Sequence, residues 1–170
     1  NNDVEIITEN WLEEMLQLCQ QKDVGMVGAK LYYPDDTIQH AGVVVGLGGV
    51  AAHVLCKLPR DAEGYMGRLR CVQEISAVTA ACMMVKTSVF KAVGGFDEEL
   101  KVAFNDIDLC MKVRKYGVKI VFTPYAELYH YESKSRGLED TPEKVARFNK
   151  EIQIFEKRWP DILRNGDPYY

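Results

Sequence analysis

Apolar runs that favour buried strands alternate with helical stretches along this chain of 170 residues. Residues 24–33 favour one buried strand, and residues 72–86, rich in Val, Ile, Thr and Ala, favour another. Helices are predicted at residues 9–21, 87–93 and 105–116. This alternation is typical of α/β proteins, in which helices cover a mostly buried sheet. We therefore expect a single α/β domain with a three-layer mixed sheet flanked by helices.

Residues that start or interrupt regular structure set several boundaries. Thr8 is predicted to cap the helix at residues 9–21. Pro124 is expected to divide the sequence after the third helix into two strands, at residues 118–123 and 126–131. Thr141 followed by Pro142 predicts the start of a long C-terminal helix, because proline is favoured at the first helical position.

Charge and cysteine content exclude several classes of protein. The net charge is −4 and the pI is about 5.5, which disfavours nucleic-acid binding. No apolar run is long enough to predict a membrane-spanning segment, and the opening residues do not predict a signal peptide. Five cysteines without a C-x-x-C pair argue against a disulfide framework and a zinc ribbon. Reduced thiols and a cytoplasmic location are expected.

A glycine-rich stretch at residues 43–51 has the G-x-G-x-x-A spacing of a dinucleotide-binding fingerprint. The fingerprint also needs a following helix and an acidic residue about 20 positions later. Neither is evident, so a glycine-rich loop is the preferred interpretation. A nucleotide-dependent oxidoreductase remains an alternative, and a helix starting at Gly48 would favour it.

Three groups of polar residues are candidates for chemistry, and each also has an ordinary structural explanation. Asp3 near a strand end can bind a divalent cation, but a lone acid is usually solvated. Asp106 and Asp108 can act at the rim of a cleft, or they can favour the positive end of a helix that Asn105 caps. His130 can be a metal ligand or a histidine satisfied within the core.

In their order along the chain, these motifs resemble the catalytic domain of family 2 glycosyltransferases. Those enzymes are inverting, use sugar nucleotides and have the GT-A fold, so the resemblance implies a partial GT-A fold here. The likeness is greatest to rhamnosyl- and galactosyl-type members that build bacterial surface polysaccharides. Six segments carry it: residues 1–5, 38–42, 78–82, 93–98, 105–110 and 130–137.

The resemblance implies a metal site and a catalytic base. Asn1 and Asp3 match the first and last positions of the family's D-x-D metal motif, although Asn1 replaces its first aspartate. His130 matches the histidine that completes the metal site. Asp106 matches the base of the family's E-D pair, in which Asn105 replaces the glutamate. One carboxylate and one imidazole suit Mn²⁺ better than Mg²⁺.

The resemblance also implies donor and acceptor contacts. Asn105 and Asp108 are expected on the acceptor side. A stretch matching the family's T-G-A is expected near the sugar, with Ala80 replacing its glycine. A loop that closes on the donor diphosphate is expected after His130. The residues implied in donor binding are Thr79, Ala80, Ala81, Ser133, Ser135 and Arg136.

These roles predict transfer from a nucleotide-sugar donor to a saccharide or lipid-linked saccharide acceptor in cell-surface polysaccharide synthesis. The location is cytoplasmic, at the inner face of the membrane. Residues 1–170 are expected to form the acceptor-side, C-terminal part of the catalytic domain, with the nucleotide-binding half absent. The isolated chain is then expected to transfer sugar weakly and to self-associate through exposed sheet edges. The alternative is a non-catalytic carbohydrate-binding or interaction module.

Overall fold

The structure is a computed structural model that describes residues 1–131 and 141–170. Its helices and strands alternate, as the sequence predicts. In chain order they are β1 (Val4–Ile6), α1 (Trp11–Cys19), β2 (Val24–Tyr32), β3 (Ile38–His40), β4 (Val43–Val45), β5 (Ala51–His53), β6 (Gln73–Glu74), β7 (Met83–Val85), α2 (Thr87–Ala92), α3 (Asn105–Lys115), β8 (Lys119–His130), α4 (Pro142–Arg158) and α5 (Pro160–Asn165).

Two long strands, β2 and β8, form the centre of a six-stranded mixed sheet. They run parallel, so their carboxyl ends, Tyr32 and His130, lie at the same edge of the sheet. On the side away from β2, β8 pairs antiparallel with β1 and β6. On the side away from β8, β2 pairs antiparallel with β3 and β7. The expectation of a mixed sheet is therefore confirmed.

Helices cover both faces of this sheet. On one face, Met15 and Cys19 of α1 pack in a cluster with Val27, Leu31 and Leu128. On the other face, α3 and α4 enclose a larger cluster, whose biggest members include Tyr32, Phe122 and Phe155. Because the clusters lie on opposite sides of β2 and β8, the molecule has the three layers that the sequence predicts.

Two strand predictions are wrong in detail. The stretch at residues 72–86 is strand only at β6 and β7. Between them, residues 75–78 are buried and form no regular strand. Ile75 N still donates to Ile120 O of β8 at 3.0 Å, whereas Val43 N donates to Ala77 O at 2.9 Å. Pro124 does not divide the last strand, because β8 runs continuously from Lys119 to His130. The pairing of β8 with β2 shifts register opposite Pro124, between Gly28 and Lys30.

The glycine-rich stretch is a hairpin, which overturns the oxidoreductase alternative. β4 and β5 pair antiparallel in a small second sheet. A single 3₁₀ turn, Leu47–Gly49, joins them, and no α-helix starts at Gly48. Three positive-φ glycines, at positions 46, 48 and 49, make this tight turn possible. The backbone therefore lacks the helix N-terminus that a dinucleotide pyrophosphate needs.

Other local predictions have mixed outcomes. Thr141 caps α4 by accepting from Lys144 N at 3.4 Å, as expected. Thr8 does not cap α1, because its hydroxyl accepts instead from Glu127 N at 3.1 Å. All five cysteines are free thiols. Burial raises the pKa of Cys82 to about 11. Within the described residues, no helix is both long and apolar enough to span a bilayer.

Candidate active site

The structure brings together the three residues predicted to bind metal. The register of β1 against β8 places Val4 opposite His130, and Tyr131 N donates to Asp3 O at 2.9 Å. Asp3 Oδ1 therefore lies 3.4 Å from His130 Nε2. Asn1 Nδ2 lies 3.2 Å from the same ring nitrogen. The cluster sits at the carboxyl ends of β2 and β8, where open α/β sheets bind their ligands.

Gln39 fixes the orientation of the His130 ring. The Gln39 side chain is nearly fully buried, and its Oε1 lies 2.7 Å from His130 Nδ1. Its Nε2 donates to the backbone carbonyl of His130 at 3.3 Å. Because an amide oxygen only accepts, Nδ1 must carry the hydrogen. In the neutral tautomer with hydrogen on Nδ1, the lone pair of Nε2 faces Asn1 and Asp3.

This arrangement fits a divalent cation. In the neutral ring, His130 Nε2 and Asp3 Oδ1 are two acceptors that face each other. Asp3 Oδ1 is buried and has no hydrogen-bond partner within the described residues. No group of three or more His, Cys, Asp or Glu side chains in residues 1–131 and 141–170 forms a complete metal site. Asp3 and His130 would therefore supply only part of a coordination shell.

A second histidine pair, His40 and His53, lies next to this cluster. His40 is completely buried, and its Nδ1 lies 2.9 Å from Nδ1 of His53. Burial lowers the pKa of His40 well below its usual value, and the neighbouring imidazoles of His53 and His130 lower it further. A neutral His40 does not repel a cation bound by Asp3 and His130.

Asp106 connects the start of α3 to the stretch predicted near the sugar. Its Oδ2 accepts from Ala80 N at 3.0 Å, and its Oδ1 accepts from Ile107 N at 2.9 Å. Within the stretch, Thr79 Oγ1 accepts from Ala81 N at 3.3 Å. Asp106 is half-buried.

The helix start itself differs from the prediction. Asn105 was expected to cap α3, but the capping position is Phe104, and no side chain caps the helix. Phe104 has φ of 61°, a left-handed conformation that is uncommon for a large side chain. Its ring packs against Phe148 and Phe155 of α4, at centroid distances of 5.5 and 5.8 Å. This packing helps to hold the backbone turn that leads to Asp106.

Asp108 contacts residues of the C-terminal helices and is buried, contrary to its predicted place on the acceptor side. Its side chain is completely buried, so an acceptor cannot reach it. Oδ1 accepts from Arg158 Nη1 at 2.9 Å and from Trp159 Nε1 at 2.8 Å. Lys112 Nζ lies 3.0 Å from Oδ2 as an ion pair. The role of Asp108 in this structure is to attach α3 to α4.

Glu151 is a residue that the sequence analysis missed. Its carboxylate is almost fully buried and accepts from three consecutive backbone N–H groups, those of residues 101–103. The distances are 3.0, 3.3 and 2.7 Å. This segment leads directly into Phe104 and Asp106. A charged residue in a helix usually faces solvent, so nothing in the local sequence marks Glu151 as buried.

The predicted donor-loop residues Ser133, Ser135 and Arg136 lie outside the described residues. Gln39 belongs to one of the segments that carry the family resemblance, but the sequence alone assigns it no role. The structure thus brings together Asn1, Asp3 and His130 in one cluster. It joins Asp106 to residues 79–81 in another.

A profile of the family described as glycosyltransferase like family 2 matches residues 3–148. The chain therefore belongs to glycosyltransferase family 2. Its mixed sheet with helices on both faces is a partial GT-A fold, as the resemblance implied.

Three curated relatives are similar to this chain. The uncharacterized protein y4gI of Sinorhizobium fredii is 59% identical over 94% of the chain. The O-antigen biosynthesis protein RfbC of Myxococcus xanthus is 36% identical over 100% of the chain. An N-acetylglucosaminyl-diphospho-decaprenol L-rhamnosyltransferase of Mycobacterium tuberculosis is 35% identical over 46% of the chain. The chain spans only 18%, 13% and 25% of these relatives, respectively.

Proposed function

We propose that the chain is part of an enzyme that transfers a sugar from a nucleotide-sugar donor to a saccharide acceptor during synthesis of a cell-surface polysaccharide. The observation that carries the proposal is the cluster of Asn1, Asp3 and His130, in which a buried carboxylate oxygen faces an imidazole nitrogen. Family membership supports the reaction class. Relatives named for O-antigen biosynthesis and for rhamnosyl transfer support the pathway and a rhamnosyl-type sugar.

Asp3 and His130 would hold a divalent cation, with Asn1 beside them. Nitrogen and oxygen donors together favour Mn²⁺ over Mg²⁺. Such a cation supplies charge neutralisation for the nucleoside diphosphate that leaves. The protein's own contribution is to hold its ligands in place, because Gln39 fixes the His130 ring and the β1–β8 pairing fixes Asp3.

Asp106 is the proposed general base. It would take the proton from the acceptor hydroxyl as that oxygen attacks the anomeric carbon from the face opposite the leaving group. Two backbone N–H groups, from Ala80 and Ile107, orient the carboxylate and stabilise its charged form. Each carboxylate oxygen keeps a further lone pair for the proton.

The substrate contacts follow from the same arrangement. Ala80 donates to Asp106, and Thr79 accepts from Ala81. The three residues are proposed to line the sugar pocket. Asn105, next to the base, is proposed on the acceptor side, and Asp108 is not. The resemblance supports a donor-diphosphate role for Ser133, Ser135 and Arg136. A lipid-linked saccharide is the proposed acceptor class, at the cytoplasmic face of the membrane.

The chain is further proposed to be the acceptor-side part of a larger catalytic domain. It spans 18% and 13% of two relatives. Within the described residues, β7 pairs with β2 on one side and with no strand on the other. Half-buried Met83, Met84 and Val85 occupy this edge. Such an apolar edge favours pairing with a further strand or self-association, so light scattering should show a mass that rises with concentration.

The test of the proposed function is a crystal of the full-length protein soaked with Mn²⁺ and UDP, measured by anomalous scattering. We expect a manganese peak between Asp3 and His130, with Asp106 lining the same cleft. The same soak of an Asp3→Ala variant should lose the peak. A manganese peak elsewhere, or no peak at full occupancy of UDP, would contradict the metal assignment and favour a non-catalytic module.

A further inference from the structure

An open cleft of about 500 Å³ lies between β8 and the segment at residues 60–70. Lys30 and Glu127, which are register partners on β2 and β8, both line it. Glu127 and His130 are three residues apart in a regularly paired part of β8, so their side chains point to opposite faces of the sheet. The cleft is therefore separate from the candidate metal site.

Lys30 is a buried lysine that forms no ion pair within the described residues. The residue is 5% exposed, yet it lines the cleft. Its one hydrogen bond within residues 1–131 and 141–170 goes to the backbone carbonyl of Leu69 at 3.4 Å. No carboxylate oxygen of that part of the chain lies within 4.0 Å of its Nζ. A buried ammonium without an ion pair is costly, so an anion bound in the cleft would stabilise the charged form of Lys30.

Two further cations line the same cleft. Arg60 Cζ and Lys30 Nζ lie 4.9 and 5.3 Å from the centroid of the same Tyr32 ring. Arg70 lies at the rim, where it forms an exposed ion pair with Glu63 at 2.9 Å. Burial lowers the pKa of Lys30. The charge of Glu127 opposes this effect, and the charges of Arg60 and Arg70 add to it.

The acids around the cleft form ion pairs with its arginines and not with Lys30. Glu127 accepts from the Tyr32 hydroxyl and pairs with Arg60 at 3.1 Å, so its two oxygens are already engaged. Asp61 is the other acid that lines the cleft. Arg60 is thus paired with Glu127 and Asp36, and Arg70 with Glu63. Lys30, the most deeply buried cation of the cleft, forms no ion pair within the described residues. A neutral sugar would not supply the missing charge.

We propose that this cleft binds the phosphate group of an anionic ligand, with Lys30 at its floor and Arg60 and Arg70 at its rim. Guanidinium groups bind phosphate oxygens through paired N–H donors, and the lysine ammonium acts as a compact charge. The cleft also has an apolar wall of Leu69 and Pro124 and the exposed ring of Tyr125. It can therefore hold the group attached to the phosphate. The proposal does not depend on glycosyl transfer or on the metal site.

The test is titration calorimetry of the protein with inorganic phosphate and with pyrophosphate, at constant ionic strength. We expect saturable binding that the Lys30→Met variant weakens by at least about ten-fold, because a charged donor is lost. The matched control is Lys119→Met, which removes an exposed lysine paired with Asp23. This control should bind phosphate within about two-fold of the unmodified protein.

A thermal melt tests whether the Lys30→Met variant is folded. Lys30→Met removes an unpaired buried charge, so it should melt at least as high as the unmodified protein in phosphate-free buffer. Added phosphate should raise the melting temperature of the unmodified protein and leave that of Lys30→Met unchanged. Absence of saturable binding, or equal binding by Lys30→Met, would overturn the proposal.

A further titration with farnesyl diphosphate distinguishes the source of the phosphate. Tighter binding than pyrophosphate, lost in Lys30→Met, assigns the site to a lipid-carried diphosphate whose chain contacts the apolar wall. Equal binding of the two compounds, again lost in Lys30→Met, assigns it to a free phosphate group.

Discussion

His130 Nδ1 lies 2.7 Å from Gln39 Oε1, and this hydrogen bond determines which nitrogen of the ring faces the candidate metal site. Gln39 belongs to β3 and His130 to the end of β8, on opposite sides of β2. The two strands are thus tied across the sheet edge at the place where Asp3 approaches. A partner of this kind orients a metal ligand and raises its basicity.

Replacing Gln39 with Leu should therefore weaken Mn²⁺ binding by the full-length protein about 10–100-fold. The ring would lose the acceptor that keeps hydrogen on Nδ1 and the lone pair on Nε2. Calorimetric titration with Mn²⁺ measures the effect, and Gln17→Leu, on the exposed side of α1, is the control. Equal affinities in the two variants would argue against a positioning role for Gln39.

Asp106→Asn should lower transfer by the full-length enzyme about 10²–10⁴-fold while donor binding is kept. The amide oxygen of asparagine can still accept from Ala80 N or Ile107 N, so the local structure should persist. Turnover and UDP affinity measure the two effects separately. Asp161→Asn, at the exposed start of α5, is the matched control, and unchanged turnover in Asp106→Asn would exclude the base role.

Asp108→Ala should reduce the free energy of unfolding by about 3 kcal/mol, because Arg158 and Trp159 lose a buried partner. Glu99→Ala removes an exposed partner of Arg158 and should lower the free energy of unfolding by no more than about 1 kcal/mol. Urea denaturation of both variants provides the comparison. Similar losses of unfolding free energy in the two variants would mean that the burial of Asp108 adds nothing to stability.

Glu151→Ala should destabilise the protein by about 2 kcal/mol, because three backbone N–H groups lose their acceptor. In the full-length enzyme it should lower kcat more than it changes donor affinity, since residues 101–103 lead to Asp106. Glu156→Ala, exposed on the same helix, is the control for both measurements. Destabilisation without any change in kcat would show that Glu151 is structural alone.

The stability of the fold should fall above about pH 10. Burial, and then the hydrogen bond and charge of Glu127, raise the pKa of Tyr32 in the folded state. A group whose folded pKa is raised contributes its full stability below the unfolded pKa and loses it as the pH rises further. Urea denaturation at pH 8.5 and pH 11 should show a smaller decline for Tyr32→Phe than for the unmodified protein.

The layered fold could be predicted from sequence because its signals are local. The apolar run of β2 and the Thr141 cap of α4 are readable within a few residues. The prediction of one strand at residues 72–86 is wrong because a β-rich composition does not show where strand pairing stops. Residues 75–78 form no regular strand, and Ala77 O accepts from Val43 N of the β4–β5 hairpin.

The candidate site was predictable only in part, for a related reason. Asp3, Asp106 and His130 belong to motifs whose order along the chain is specific. Gln39 acts through a residue 91 positions away, and Glu151 acts on a segment about 50 positions earlier. The buried setting of Asp108 was not predictable either, because its partners, Arg158 and Trp159, lie 50 and 51 positions later in the sequence.

The attachment of the Asp106 segment to α4 also sets an order of events during synthesis on the ribosome. Residues 101–103 and Asp108 emerge before Glu151, Arg158 and Trp159 exist as partners for them. The proposed base therefore cannot reach its final setting until the C-terminal helix has been translated and has docked. A released chain that ends before residue 151 would contain the strands of the sheet and the candidate metal ligands but lack the partners that order the segment leading to Asp106.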